Sequence, residues 1–188
     1  MRKLVLFLHM SLDGFYAAKD GSLDWIPYNA GFEKYAEKLV NSVGSPMYGR
    51  ATFEMMKYWR TVLNDSSASK HDLEHADWIE KVEKIVFSST LQNEDWNNTK
   101  IISGNVAEEV RKLKEEDGKD LVIFGSPTLA SSLMELGLID EFQFTVSPVV
   151  LGEGKTFLRN ITQRVNLELV HSESIEGGVI AVHYRILK

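Results

Sequence analysis

The stretch Leu121-Val122-Ile123-Phe124-Gly125-Ser126-Pro127-Thr128-Leu129-Ala130 decides how the chain folds. Its first four residues are an uninterrupted apolar run, as expected of a strand covered on both faces. Gly125 breaks the run. Ser126 is predicted to N-cap a helix, and Pro127 fits the first helical position because its φ is pre-set. The helix runs to Leu136 and is stopped by Gly137. A buried strand that turns through glycine into a helix is the repeating unit of an α/β sheet.

The same grammar extends in both directions. Upstream, Leu4 to Leu8 is a second continuous apolar run, closed by Ser11-Leu12-Asp13-Gly14. Phe32, Tyr35, Ala36, Leu39 and Val40 recur at helical spacing and predict a helix over 32–43. Pro46-Met47-Tyr48 predicts a short strand before Gly49, and a helix over 51–59 follows. The polar, Ser-rich stretch 60–76 is expected to be a surface excursion with some helix near its end. Lys84 to Phe87 and Lys100 to Ile102 predict strands, and Asn105 with Glu108 predicts a capped helix to about Glu116. Downstream, Glu141 to Val146 alternates like a strand. Asn166 to Glu173 and Val179 to Leu187 flank Glu176-Gly177-Gly178 and predict a hairpin.

The order β-α-β-α-β-β-α-β-α-β-β-β predicts an α/β fold. It is a three-layer αβα architecture with a mostly parallel central sheet and a C-terminal antiparallel hairpin at its edge. The 188 residues carry no internal repeat or linker, and 1–188 is expected to be one domain.

Bulk composition narrows the function. The chain is 44% hydrophobic with a net charge of −6, and its positive charges are scattered, so nucleic acid is not expected as a partner. It has no cysteine, which rules out disulfides, thiolate metal ligands and Cys nucleophiles and fits a cytoplasmic location. The apolar run after Met1-Arg2-Lys3 is too short for a signal peptide, and no stretch is long enough to span a bilayer, so no membrane association is expected.

Ligands of open α/β sheets bind beyond the carboxyl ends of the strands. Phe124-Gly125-Ser126-Pro127-Thr128 allows close backbone approach and offers N–H groups at a helix start to a phosphate. Pro127 has no N–H, so Ser126, Thr128 and Leu129 must supply the donors. An ordinary capped helix start would look the same. Tyr48-Gly49-Arg50-Ala51-Thr52 repeats the pattern and adds a guanidinium. Ser88-Ser89-Thr90 adds a hydroxyl loop after a strand. Together these ends suit a pyrophosphate plus a ribose phosphate, hence NADPH over NADH. G-x-G-x-x-G, Walker A and G-x-S-x-G are absent. His71 and His75 have the spacing of a metal-binding pair, but no third ligand is apparent, and a solvated helix face is expected. Glu115-Glu116-Asp117 is a solvated helix end.

These segments carry a resemblance. Ser11-Leu12-Asp13-Gly14, Gly49-Arg50-Ala51-Thr52-Phe53-Glu54, Ser88-Ser89-Thr90-Leu91, and the stretch from Phe124 through Gly137-Leu138-Ile139-Asp140-Glu141 to Pro148-Val149-Val150-Leu151-Gly152-Glu153-Gly154 resemble the dihydrofolate-reductase-like superfamily. Within it they resemble bacterial proteins related to the reductase domain of the riboflavin-pathway deaminase/reductase.

The resemblance implies a dihydrofolate-reductase-like fold and NADPH binding. Gly125, Ser126, Thr128 and Leu129 would meet the pyrophosphate. Gly49, Arg50, Thr52, Ser88 and Ser89 would serve the adenosine side, and Met10 and Trp25 would lie near the nicotinamide. Many relatives carry Arg where this chain has Ser89. Pairing of copies through the C-terminal strands, a homodimer, is also implied.

On the substrate side, pyrimidine reductases carry an acid where this chain has Phe124 and an Ala-Asp-Asp-Pro run where it has Met55-Met56-Lys57-Tyr58. Dihydrofolate reductases carry a carboxylate early in the first helix, and Glu33 matches its distance from the Gly-Arg pair. Glu33, with Asp13 in reserve, is the candidate to orient substrate or relay a proton. The expected activity is NADPH-dependent reduction of a small heterocycle, related to 5-amino-6-(5-phosphoribosylamino)uracil reductase. The alternatives are a dihydrofolate or pterin reductase, or a non-enzymatic NADPH-binding protein on the same scaffold.

Overall fold

In a computed structural model that describes residues 1–157, 161 and 164–187, the run that opens the sequence reading is β6 (Asp120–Phe124), near the middle of an eight-stranded sheet. Lys188, the last residue of the expected domain, lies outside the described residues. The remaining strands of that sheet are β1 (Leu4–Ser11), β3 (Val43–Gly49), β4 (Lys84–Phe87), β5 (Thr99–Ile102), β7 (Glu141–Ser147), β9 (Leu167–Ile175) and β10 (Val179–Ile186). Their order is β5-β4-β3-β6-β1-β7-β10-β9. Every pairing from β5 to β7 is parallel, and only β7–β10 and β10–β9 are antiparallel. The expected mostly parallel sheet with a terminal hairpin at one edge is what forms.

Strand parity divides the interior. On one face, Leu4, Leu6 and Leu8 of β1, Met47 of β3, Ile85 and Phe87 of β4, and Leu121 and Ile123 of β6 meet α5 (Val106–Glu115) and α6 (Pro127–Glu135) through Val110, Leu113, Leu129 and Leu133. On the other face, Phe7 and Val122 pack with Leu39 of α1 (Ala30–Ser42). Tyr48 and Val86 on that same face pack with Phe53 of α2 (Arg50–Met56), Ile79 of α4 (Lys70–Lys81) and Trp96. Alternate residues of one strand therefore serve two separate cores, which is why these strands read as unbroken apolar runs. Leu121, Val122 and Ile123 are fully buried, each worth about 1.5–3 kcal/mol relative to exposure.

Several expectations are corrected. The region 60–76 is more ordered than its polarity suggests: α3 (Tyr58–Val62) is followed by α4, opened by a reciprocal Ser69–Asp72 capping box. The helix predicted over 51–59 is broken at Lys57, between α2 and α3. The first helix starts earlier, capped by the Asn29 side chain on the Phe32 N–H, and β3 takes over at Val43. A small two-stranded ribbon, β2 (Ala17–Ala18) with β8 (Gly154–Lys155), had no sequence signal at that length.

Ser126 is also corrected. It sits in the left-handed region with φ +48° and its side chain makes no capping bond. Its hydroxyl instead accepts the Gly49 N–H at 2.9 Å. Gly125 just before it has φ +60°, a conformation that favours glycine, and its N–H extends the ladder to the Phe7 carbonyl at 3.1 Å. The expected stop at Gly137 forms, with its N–H on the Met134 carbonyl and the Leu138 N–H on the Leu133 carbonyl.

Candidate functional site

The carboxyl ends of β1, β3, β4, β5 and β6 open onto a cleft with two compartments. The first is the more polar of the two, about 740 Å³ in volume, and is lined by Gly49, Arg50, Thr52, Ser88, Ser89, Ser103, Gly104, Val106, Ser126, Thr128 and Leu129, among others. The second is apolar, about 510 Å³, and is roofed by α1 on one side and by α2, α3 and α4 on the other. Tyr16, Ala51, Thr52, Ser126 and Pro127 belong to both walls.

The polar compartment is built from turns. Gly49–Ser126 hydrogen bonding ties the start of α2 to the start of α6. A non-glycine residue in the left-handed region costs about 1–2 kcal/mol, and this bond is the contact that offsets it. The first N–H groups of α6 lack intrahelical partners by geometry and sit at the positive end of the helix dipole. Arg50 donates from Nη1 to the Thr90 hydroxyl at 2.7 Å. The Ser88 hydroxyl accepts the N–H groups of Thr90 at 3.3 Å and Leu91 at 3.0 Å. The Arg50 side chain thus lies across the hydroxyl loop at the mouth of β4. A Cβ placed on Gly104, in the same wall, would meet no protein atom within 4 Å. No packing clash therefore requires glycine there, and its Cβ position faces open space in the cleft. A guanidinium, hydroxyls and a helix start around open space suit a phosphorylated dinucleotide.

The apolar compartment holds Phe7, His9, Tyr28, Phe32, Tyr35, Met55, Met56, Trp59, His71, His75 and Phe124. His9 contacts the Thr145 hydroxyl through Nδ1 at 2.6 Å, and burial pushes its pKa down to about 4. His75 lies 4.3 Å from the Trp59 ring and 5.6 Å from that of Trp78, centre to centre. Burial, then the neighbouring His71, lowers its pKa to about 4. Burial also pushes the Tyr35 phenol up to about 12. At neutral pH these groups are uncharged. The expectation of a solvated His71–His75 face is corrected: both line the cavity, and among the described residues no cluster of three or more metal-ligating side chains forms.

The candidate residues divide by position. Gly49, Arg50, Thr52, Ser88, Ser89, Ser126, Thr128 and Leu129 converge on the polar compartment, with Gly125 and Phe124 in the wall beside it. Met10 packs against the core on the α5–α6 side, and Trp25 donates to the Ser22 carbonyl at 3.2 Å; neither lines the cleft. Glu33 is on α1, whose cavity-lining residues are Phe32, Tyr35, Ala36, Leu39 and Val40, and is not in the wall. Asp13 accepts the Ser11 hydroxyl at 2.7 Å and the Leu151 and Gly152 N–H groups at 3.2 and 2.8 Å. These bonds, Ser11's first, lower its pKa, and they give it a turn-holding role. Sequence reasoning missed Ser103, Gly104 and Val106, although the strand-end rule applied to Ile102 would have found them. It also missed His9 and Trp59, which lack a local signal.

A mostly parallel sheet with an edge hairpin and a split cleft at its carboxyl end is a dihydrofolate-reductase-like fold. The dihydrofolate reductase of Enterococcus faecalis, solved in complex with NADP(H) and RAB-propyl, has the same fold: TM-score 0.63, 16% identity, 99% of this chain and 97% of that one. A deaminase/5-amino-6-(5-phosphoribosylamino)uracil reductase from Thermotoga maritima superposes at TM-score 0.68 with 17% identity, over 99% of this chain and 57% of that one. The RibD C-terminal domain family matches residues 2–181, and the chain belongs to that family. The uncharacterised protein YyaP of Bacillus subtilis strain 168 is 35% identical over 185 residues, 97% of this chain and 94% of that protein. Among the described residues, no helix is long and apolar enough to cross a membrane.

Proposed function

We propose that this protein is an NADPH-dependent reductase of a small heterocyclic compound. The observation that carries the reading is the shared wall: a phosphate-suited polar compartment and an apolar compartment meet along Thr52, Ser126 and Pro127. Family membership supports reductase chemistry, and NADP(H) in the Enterococcus faecalis enzyme supports the choice of cofactor. In this reading the start of α6, with Thr128 and Leu129, holds the pyrophosphate. Arg50 and Ser88 hold the extra ribose phosphate. When bound, NADPH supplies the hydride. The chain's own residues orient the two ligands and exclude water, Phe124 and Tyr35 by their apolar bulk. Glu33 and Asp13 lie outside the cavity wall, so the reading routes no proton through them.

Calorimetric titration with NADPH and NADH tests the proposal. Saturable NADPH binding in the micromolar range, tighter than NADH, is expected; no saturable binding of either sinks it. Two copies are proposed to pair along β9, which ends the sheet and exposes Leu169 and Val170. A monomeric mass in solution at working concentration contradicts that pairing.

A further inference from the structure

The apolar compartment carries no negative charge, and Lys155 is the one fixed positive charge among its lining residues. None of its lining residues is a carboxylate, and none is an arginine. Its polar groups are imidazoles, phenols and hydroxyls. The imidazoles of His9 and His75 and the phenol of Tyr35 are held neutral by burial, as described above. Lys155, at the rim on β8, is the one fixed cation in the wall. It has a counter-charge close by. The Asp20 carboxyl is held below its usual range first by hydrogen bonds from Ser22 and also by Lys155.

The shape is equally particular. Phe124 meets Phe7 edge-on at 5.8 Å and Trp78 at 6.1 Å. Tyr28 and Phe32 lie 5.2 Å apart, and Met55 and Trp59 line the same cavity. Aromatic rings and thioethers in one cavity wall favour a flat ring as the occupant. An ammonium placed there would find no anion, and a phosphate or carboxylate among the rings would have only Lys155, with Asp20 near it, to replace its lost hydration. This wall therefore selects against charge as well as for a ring, which is how specificity by exclusion works.

We propose that the apolar compartment takes an uncharged ligand with a flat aromatic ring, held among Tyr28, Met55, Trp59 and Phe124, and excludes phosphorylated, carboxylated and cationic molecules. Assigning that ligand as the substrate rests on the reductase reading; the charge selectivity does not. His9 and His75 offer neutral hydrogen bonds to a carbonyl or hydroxyl on the ring. A phosphoribosyl-bearing pyrimidine is a poor fit to this wall.

A matched set of naphthyl probes tests it by calorimetry on the full chain near neutral pH, with and without NADPH. The set is 2-naphthol, 2-naphthyl phosphate, 2-naphthoate and 2-naphthylmethylammonium. Naphthol is expected to bind at least about tenfold more tightly than any charged member, because burying an unpaired charge is costly. Trp59→Ala is expected to weaken naphthol binding. Met55→Asp, at a position that is 58% exposed and so tolerant of change, is expected to raise affinity for the ammonium probe selectively. Equal binding of charged and neutral probes, no binding of any probe, or an unchanged ranking in Met55→Asp overturns the proposal. The two readings separate cleanly. Charge selectivity without NADPH binding removes only the reductase assignment. NADPH binding without charge selectivity removes only the present inference.

Discussion

The Gly49 N–H and the Ser126 hydroxyl, 77 positions apart in sequence, are joined by a 2.9 Å hydrogen bond that locks together the turns leaving β3 and β6. The residue that accepts this bond is 4% exposed and holds a left-handed backbone. Ser126→Ala leaves the Gly49 N–H without its acceptor and is expected to cost about 1–3 kcal/mol, read from urea denaturation. Ser126→Gly should cost less, since it relieves the backbone strain while losing the same bond. Both should weaken NADPH binding.

Arg50 reaches the hydroxyl loop through Thr90 rather than through a carboxylate, so its charge is available to an anion. Arg50→Ala is expected to lower NADPH affinity about tenfold or more, the scale of a lost charge-assisted hydrogen bond, and to leave NADH affinity much less changed. Titration of both cofactors on one preparation reads the difference. An equal loss for the two would mean that Arg50 does not recognise the extra phosphate.

Stability should depend on acid in a defined window. Burial lowers His9 and His75 from 6.5 to about 4 in the folded chain. Between those values the unfolded chain binds the extra protons, so stability rises with pH there. The contribution is complete above about pH 6.5 and is lost as pH falls towards about 4. Melting temperatures across that range should show the slope, and His75→Gln should flatten it.

Gly104 makes a claim about space. Gly104→Val is expected to leave stability nearly unchanged, because its Cβ position is open, and to weaken NADPH binding by filling the polar compartment. A melting temperature beside a binding isotherm checks both halves. Unchanged binding would show that the cofactor does not approach this turn.

The sheet was legible because its strands are buried on both faces. Leu4 to Leu8 and Leu121 to Phe124 need no partner to be read, and their order relative to the helices gives the architecture. The phosphate-suited turns were legible for a similar reason, since Gly49-Arg50 and Gly125-Ser126 are local patterns. The apolar compartment was not. Its wall assembles residues from β1, α1, α2, α3, α4 and β6, and the largest share from one element is the five that α1 contributes. His71 and His75 show the limit most clearly. Their spacing places them on one helix face, yet only the packing of α4 beside Trp59 decides that this face turns inward. Ser126 shows another limit. Its residue type fits a cap, and a long-range bond to Gly49 overrides that preference.

Tyr16, Thr52, Ser126 and Pro127 each belong to both compartments, and that arrangement has a thermodynamic consequence. A molecule seated on one side touches atoms that form the boundary of the other. If the first arrival shifts or stiffens those atoms, it changes the affinity for the second, and the second must change the affinity for the first by the same factor. The order in which the two ligands load would then be set by a partition only one side chain thick.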